Sequence, residues 1–242
     1  MNNNMTEENK QAKRIQTSFL NGIEKKILVA IANKLPTWVT SDMLTFVGFL
    51  GAIIIATGFA LSNLNLNWLW LTCFGLFVNW YGDSLDGSLA RVRGTQRKTY
   101  GFYIDHNVDV INETIMFVGA GTSPLVNMSF AMLALIAYFM LSVYVYINCH
   151  LKGEHKLTYA GLGPTEFRII VAIVCILFMY IPWLSEWKKD IVLFHNQFSV
   201  GLFDYITVAI ALLIFGFYLV SFFKDAAYFR KIDPIKKPED KK

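Results

Sequence analysis

The chain has 242 residues, 55% of them apolar and 17% charged, with a mean hydropathy of +0.42 and a formal net charge of +4. That composition excludes an ordinary water-soluble domain. Cys73, Cys149 and Cys175 lie in apolar stretches without Cys-x-x-Cys spacing. A disulfide framework and a zinc site are therefore not indicated, and the three read as small core hydrophobes.

In chain order, residues 1–13 read as a disordered N-terminus. No apolar run of signal-peptide type precedes the first long span, so the mature protein is expected to keep this end. Residues 14–35 form an expected amphipathic interfacial helix: Ile15, Phe19, Ile23, Ile27 and Ala30 recur at helical spacing, while Lys25, Lys26 and Lys34 face elsewhere. No Asp, Glu, Lys or Arg occurs from Leu44 to Gly82, from Thr114 to Cys149, from Ile169 to Ser185 or from Tyr205 to Phe223. The first two runs exceed one bilayer crossing, and each is broken by a polar turn, at residues 61–67 and 122–127. The expected fold is therefore an all-α integral membrane protein with six transmembrane helices, near 43–61, 67–90, 101–121, 127–149, 165–184 and 203–223. These spans lie in a domain of residues 36–224, and a disordered cytoplasmic tail, 225–242, follows. Trp68, Trp70 and Trp80 read as interface anchors.

Twenty of the Lys and Arg residues fall on one side of this layout, and only Lys188 and Lys189 on the other. The positive-inside rule places both termini and the loops after spans two and four in the cytoplasm. No internal repeat is visible, which argues against an inverted-repeat transporter.

Four aspartates stand in or beside the spans: Asp83, Asp86, Asp105 and Asp109. Each costs about 2.5–3.5 kcal/mol at a helix centre, less near the interface, so the group must be offset. Asp83 and Asp86 are three apart and Asp105 and Asp109 four apart, so each pair shares one face of its helix. The loop between spans two and three folds those helices antiparallel, which can join the pairs near the cytoplasmic surface. Converging carboxylates repel unless cations separate them. Oxygen-only ligation suits Mg²⁺, Mn²⁺ or Ca²⁺ rather than zinc, and two such ions clamp a diphosphate during in-line attack. Small residues at Gly87, Ala90 and Gly101 leave room for a ligand or for close helix packing.

The pattern Asp83-x-x-Asp86-Gly87-x-x-Ala90-Arg91, then Gly101-x-x-x-Asp105-x-x-x-Asp109, resembles the signature of the CDP-alcohol phosphotransferases. The resemblance implies a six-helix membrane enzyme, usually a homodimer, that cleaves a CDP-linked alcohol, releases CMP and passes the substituted phosphate to a hydroxyl acceptor. It implies Asp83, Asp86 and Asp105 as ligands of two divalent ions, Mg²⁺ or Mn²⁺, and Asp109 as a ligand or the base. Gly87, Ala90, Arg91 and Gly101 would line the CDP pocket.

Two details bear on the subclass. His106 and Asn112 complete Asp-His-x-x-Asp-x-x-Asn, which resembles the choline and ethanolamine phosphotransferases, where the histidine is thought to be the base. His106 is nevertheless rotated about 100° from Asp105 on the helix, and Asn107 stands where those enzymes usually have glycine. Gly163-Pro164-Thr165-Glu166-Phe167-Arg168 resembles the same subclass, yet its Glu-x-Arg pair also resembles the acceptor corner of inositol-phosphate-using members. Glu166 and Arg168 are therefore expected to bind substrate, against the plain alternatives of a helix-start glutamate and an arginine snorkelling to lipid phosphate. His150 and His155 read as solvent residues, and Arg93, Arg97 and Lys98 as a positive loop that attracts the nucleotide.

The sequence reading is thus a phosphotransferase of phospholipid biosynthesis with a cytoplasmic-side site. Its preferred donor is a soluble CDP-alcohol of ethanolamine or choline type with a diacylglycerol-like acceptor. The alternative is CDP-diacylglycerol with a polar acceptor such as inositol phosphate or glycerol phosphate. From another class, a divalent-cation transporter would also carry intramembrane acids but does not require the linked Gly-Gly-Ala-Arg spacing, and an idle membrane scaffold would not need to retain every carboxylate. Membrane lipids are expected partners, and nucleic acid is not.

Overall fold

The computed structural model describes residues 13–15, 19–152, 154–156, 163–193 and 196–235. Its elements are β1 (Lys13–Ile15), α1 (Asn21–Lys34), α2 (Ser41–Leu61), α3 (Leu69–Arg93), α4 (Lys98–Gly121), α5 (Met128–Lys152), β2 (Glu154–Lys156), α6 (Pro164–Tyr180), α7 (Pro182–Glu186), β3 (Lys188–Leu193), β4 (Asn196–Gly201) and α8 (Leu202–Ile232). The architecture is helical, with two short two-stranded ribbons, β1–β2 parallel and β3–β4 antiparallel. Among the described residues, α2, α5 and α8 are long and apolar enough to cross a membrane. The other three expected spans correspond to α3, α4 and α6, which carry the polar residues discussed below.

Small residues set the tightest helix contact. Gly48, Gly51 and Gly58 of α2 face Asn79, Gly82 and Thr72 of α3 so closely that a Cβ on Gly51 would enter the Asn79 backbone. A Cβ on Gly82 would likewise enter the Gly48 backbone. This is the packing mode of membrane helices, where small residues let backbones approach and polar groups bond across them. Accordingly Asn79 Nδ2 donates to Gly48 O at 2.9 Å, and Thr72 Oγ1 to Ile55 O at 3.4 Å. Large apolar side chains point outward instead: Phe74, Ile136, Leu212 and Val220 are all exposed.

Gly94, at φ +65°, ends α3 in the left-handed conformation that glycine adopts without strain, and Thr95 N donates to Ala90 O at 3.0 Å. Only residues 94–97 separate α3 from α4, and after this turn α4 packs against α2 and α5 rather than along α3. Arg93 secures the same corner by donating to Leu35 O at 3.0 Å, Pro36 O at 2.8 Å and Val39 O. At the other end, Asp204 is buried at the start of α8 and accepts from Gly201 N, Asn127 N and Asn127 Nδ2 at 2.6–2.9 Å, which ties the α4–α5 turn to α8.

Several boundaries differ from the sequence expectation. The first helix starts at Asn21 rather than at 14, because Leu20 N donates to Glu166 Oε1 at 2.9 Å and pins the chain there; Arg14 and Ile15 lie in β1. The inward face of α1 is Glu24, Leu28 and Ala32, whereas Ile23 and Ile27 remain exposed. α6 stops at Tyr180, short of 184, since Pro182 cannot continue its hydrogen-bond ladder. The last helix continues past 223 to Ile232, and its extension is held by Asp225, which pairs with Lys152 at 2.6 Å and accepts from Tyr144 Oη at 2.5 Å. The β3–β4 hairpin occupies what the sequence reading left as a loop. The expectations for residues 1–12 and 236–242 lie outside the described residues.

Candidate active site

Asp83 on α3 and Asp105 and Asp109 on α4 each offer a carboxylate oxygen, and these oxygens lie within 4.8 Å of one another. Helix geometry accounts for the grouping. Positions four apart differ by about 40° around an α-helix, so Asp105 and Asp109 point the same way. Positions three apart differ by about 60°, and that rotation carries Asp86 toward α2, where Thr45 Oγ1 donates to its Oδ2 at 2.7 Å and Ser41 Oγ to its backbone oxygen at 3.0 Å. The structure thus gathers three of the four expected ligands and sets Asp86 beside them, hydrogen-bonded to Thr45.

Arg168, from the first turns of α6, reaches across to this group. Its Nη2 meets Asp83 Oδ2 at 2.6 Å and its Nε donates to Asn79 Oδ1 at 3.0 Å, while Nη1 is buried without a hydrogen-bond partner among the described residues. Since Asn79 is itself held by the Gly48 carbonyl, the α2–α3 contact sets the height at which Arg168 meets Asp83. The arginine is therefore built into the site rather than turned out to the lipid interface.

A cavity of about 2690 Å³ opens over these side chains. Asp83, Asp86, Gly87, Ala90, Arg91, Gly101, Asp105, His106, Asp109 and Arg168, all expected as site residues, line it, as do Arg93, Arg97 and Lys98. Space around Gly101 is open, and a Cβ on Gly87 would stand 3.3 Å from Arg91 Nη1. Arg91 Nη2 donates to Ser88 Oγ at 2.9 Å, and Arg97 pairs with Asp42. Away from the carboxylates the wall becomes apolar, with Phe117, Val174, Phe203 and Ile214.

His106 stands beside the aspartates, its Nδ1 3.9 Å from Asp105 Oδ2. Its Nδ1 lies 2.8 Å from Phe102 O, and its ring packs between Phe102 and Tyr146, with centroids at 3.9 and 4.6 Å. Glu166 is buried at the start of α6. It is not among the cavity residues, and its two oxygens accept backbone N–H groups, Oε2 from Gly163 at 2.9 Å and Oε1 from Leu20. It serves the helix start, where a first-turn acid satisfies otherwise orphaned donors.

Two acids escaped the sequence reading. Glu113 continues the Asp105, Asp109 series by one more turn, lines the cavity, faces Tyr138 of α5 and keeps Oε2 buried without a partner. The four-residue spacing was its signal. Glu24 lies on the inward face of α1 and also lines the cavity, a position that no motif marks.

An acid cluster facing a positive side chain, at the mouth of a cavity that turns apolar between membrane helices, defines a membrane-embedded transferase acting on a phosphate-bearing lipid substrate. The chain belongs to the CDP-alcohol phosphatidyltransferase family, whose family model matches residues 38–217. It is therefore a transferase of phospholipid biosynthesis, acting on CDP-alcohol and lipid substrates, in a family that generally uses divalent metal ions. That membership sets aside the transporter and scaffold alternatives. Relatives include the archaetidylinositol phosphate synthase of Pyrococcus horikoshii, 31% identical over 140 residues that cover 58% of this chain and 70% of the relative. The phosphatidylinositol phosphate synthase of Cutibacterium acnes is 28% identical over 158 residues, 62% of this chain and 72% of the relative.

Proposed function

We propose that the protein transfers the lipid-phosphate group of a CDP-linked membrane lipid to a hydroxyl of an inositol phosphate and releases CMP. The two relatives are named as archaetidylinositol phosphate and phosphatidylinositol phosphate synthases, which favours the sequence reading's alternative over a soluble CDP-ethanolamine or CDP-choline donor. The observation that supports the acceptor is Arg168: it lines the cavity, Asp83 and Asn79 engage its Nη2 and Nε, and Nη1, buried here, has no hydrogen-bond partner among the described residues. A neutral diacylglycerol acceptor gives such a cation nothing to hold, and an inositol phosphate does. The change from a charged to an apolar wall suits a donor with a nucleotide head and hydrocarbon tails.

The donor set of Asp83, Asp105 and Asp109 fits a hard divalent ion such as Mg²⁺ or Mn²⁺, with Asp86 as a fourth oxygen ligand, and two ions are part of the proposal. Such ions, when bound, neutralise the diphosphate and the departing CMP. The protein's own part is to orient and to move one proton. Asp109 accepts the proton of the acceptor hydroxyl while its oxygen bonds to the lipid-bearing phosphorus, and the bond to the bridging oxygen breaks, leaving its electron pair on CMP. Gly87, Ala90, Arg91 and Gly101 receive the CDP moiety. The reading also takes α2, α3, α4, α5, α6 and α8 as six spans, with α1 on the membrane surface. Both termini and the acid cluster then face the cytoplasm, as the lysine and arginine count supports. A homodimer completes it.

The test is purified protein in phosphatidylcholine vesicles, given CDP-diacylglycerol or its dialkyl-ether counterpart, CDP-ethanolamine or CDP-choline, each with inositol phosphate, glycerol phosphate or diacylglycerol. CMP release should require a CDP-lipid together with inositol phosphate, stop in excess chelator and return with Mg²⁺ or Mn²⁺. Turnover confined to CDP-ethanolamine or CDP-choline with diacylglycerol would restore the soluble-donor reading.

A further inference from the structure

Glu24 lies on α1, outside the span-forming helices, yet one of its oxygens gathers three donors from two other helices. Trp80 Nε1 donates to Glu24 Oε1 at 2.7 Å, Ser84 Oγ at 3.3 Å and Thr165 Oγ1 at 2.6 Å. The residue is buried, at 8% exposure, at the edge of the cavity. Ser84 immediately follows Asp83 on α3, and Thr165 stands three residues before Arg168 on α6, within one helical turn. The oxygen therefore joins the α3 turn that carries Asp83 to the α6 turn that carries Arg168, which meet at 2.6 Å. A second tether runs parallel, from Leu20 N to Glu166 Oε1, so the start of α1 is bound to the start of α6 at two points.

We propose that Glu24 is a positioning residue: through Ser84 and Thr165 it fixes α3 against α6 so that Arg168 meets Asp83 with one guanidinium nitrogen left for the acceptor. The inference rests on the reading of Arg168 as the acceptor-binding cation. The physical requirement is an acceptor oxygen at this place rather than a negative charge, because all three donors are neutral. α1 then does more than lie on the membrane, since removing one of its side chains loosens a contact at the reacting end of the cavity. A misplacement of about 1 Å in a positioning group is enough to cost a hundredfold in rate.

The experiment measures CMP release by full-length protein in vesicles, with donor and acceptor varied in turn, for Glu24→Ala, Glu24→Gln, Thr165→Val and the double variant Glu24→Ala/Thr165→Val. Glu24→Ala should raise the acceptor KM at least tenfold with the donor KM within threefold, and Glu24→Gln, which keeps the oxygen, should restore at least a third of wild-type kcat/KM. Thr165→Val should fall between, and the double variant should be no worse than Glu24→Ala. Should Glu24→Ala fail to fold, the acceptor KM of Thr165→Val decides alone: a rise of threefold or more supports the proposal and no rise overturns it. An acceptor KM unchanged in Glu24→Ala, equal movement of donor and acceptor KM, or a glutamine variant as impaired as the alanine one also overturns it. Wild-type protein that turns over without inositol phosphate would instead overturn the functional reading on which it rests.

Discussion

Arg168→Lys is the most discriminating single change, because it keeps the charge and removes the fork. In the wild type Nη2 holds Asp83 and Nε holds Asn79, and the proposed function gives Nη1 to the acceptor anion. A lysine has one nitrogen on a flexible stem, which can hold Asp83 but not all three positions at once. Arg168→Ala would be a poorer probe, since it leaves Asp83 unpaired beside Asp105 and Asp109 and so disturbs the acid cluster as well as the acceptor contact. With the ion pair kept, the expected loss is one charge-assisted hydrogen bond to the acceptor, about 1.5–3 kcal/mol. At about 1.4 kcal/mol per decade, the acceptor KM should rise roughly tenfold to a hundredfold. The assay is initial-rate CMP release in vesicles, with acceptor varied at saturating donor and then the reverse, and thermal unfolding in detergent to confirm a retained fold. An unchanged acceptor KM, or a donor KM that rises as far, would refute the anion-binding role.

The base is separable by a pair of substitutions. Asp109→Asn should fold normally and lose nearly all turnover, a loss of at least a hundredfold, whereas His106→Ala should keep at least a tenth of it, since His106 is packed between Phe102 and Tyr146 with Nδ1 at the Phe102 carbonyl. The reverse ranking would move the base to His106. The α2–α3 contact is tested by Gly51→Val, whose added carbons would meet the Asn79 backbone; overpacking of this kind costs about 1–3 kcal/mol or more and should lower the detergent unfolding temperature by several degrees. Gly216→Ala on α8, with nothing within 4 Å of its Cβ, is the control and should unfold at the wild-type temperature or above.

Much of the helical layout was legible because apolar runs without charge have few uses other than crossing a bilayer, and a short turn between two of them leaves only antiparallel pairing. The same local rules revealed the acidic motif: four-residue spacing put Asp105 and Asp109 on one face, and the short loop between spans two and three allowed them to meet Asp83. Local rules also misled where a competing local signal was overlooked, as with Pro182, which ends α6 early. What only the tertiary structure decided is how each helix is rotated and shifted against the next. Asp86 turns to Thr45, Glu166 spends both oxygens on backbone N–H groups, and Glu24 binds three donors from distant turns. Periodicity states which residues share a face of one helix, but it carries no information on the angle or height of a neighbouring helix. Those are set by close contacts such as Gly51 on Asn79 and Gly82 on Gly48, whose partners lie about 30 residues apart in the chain.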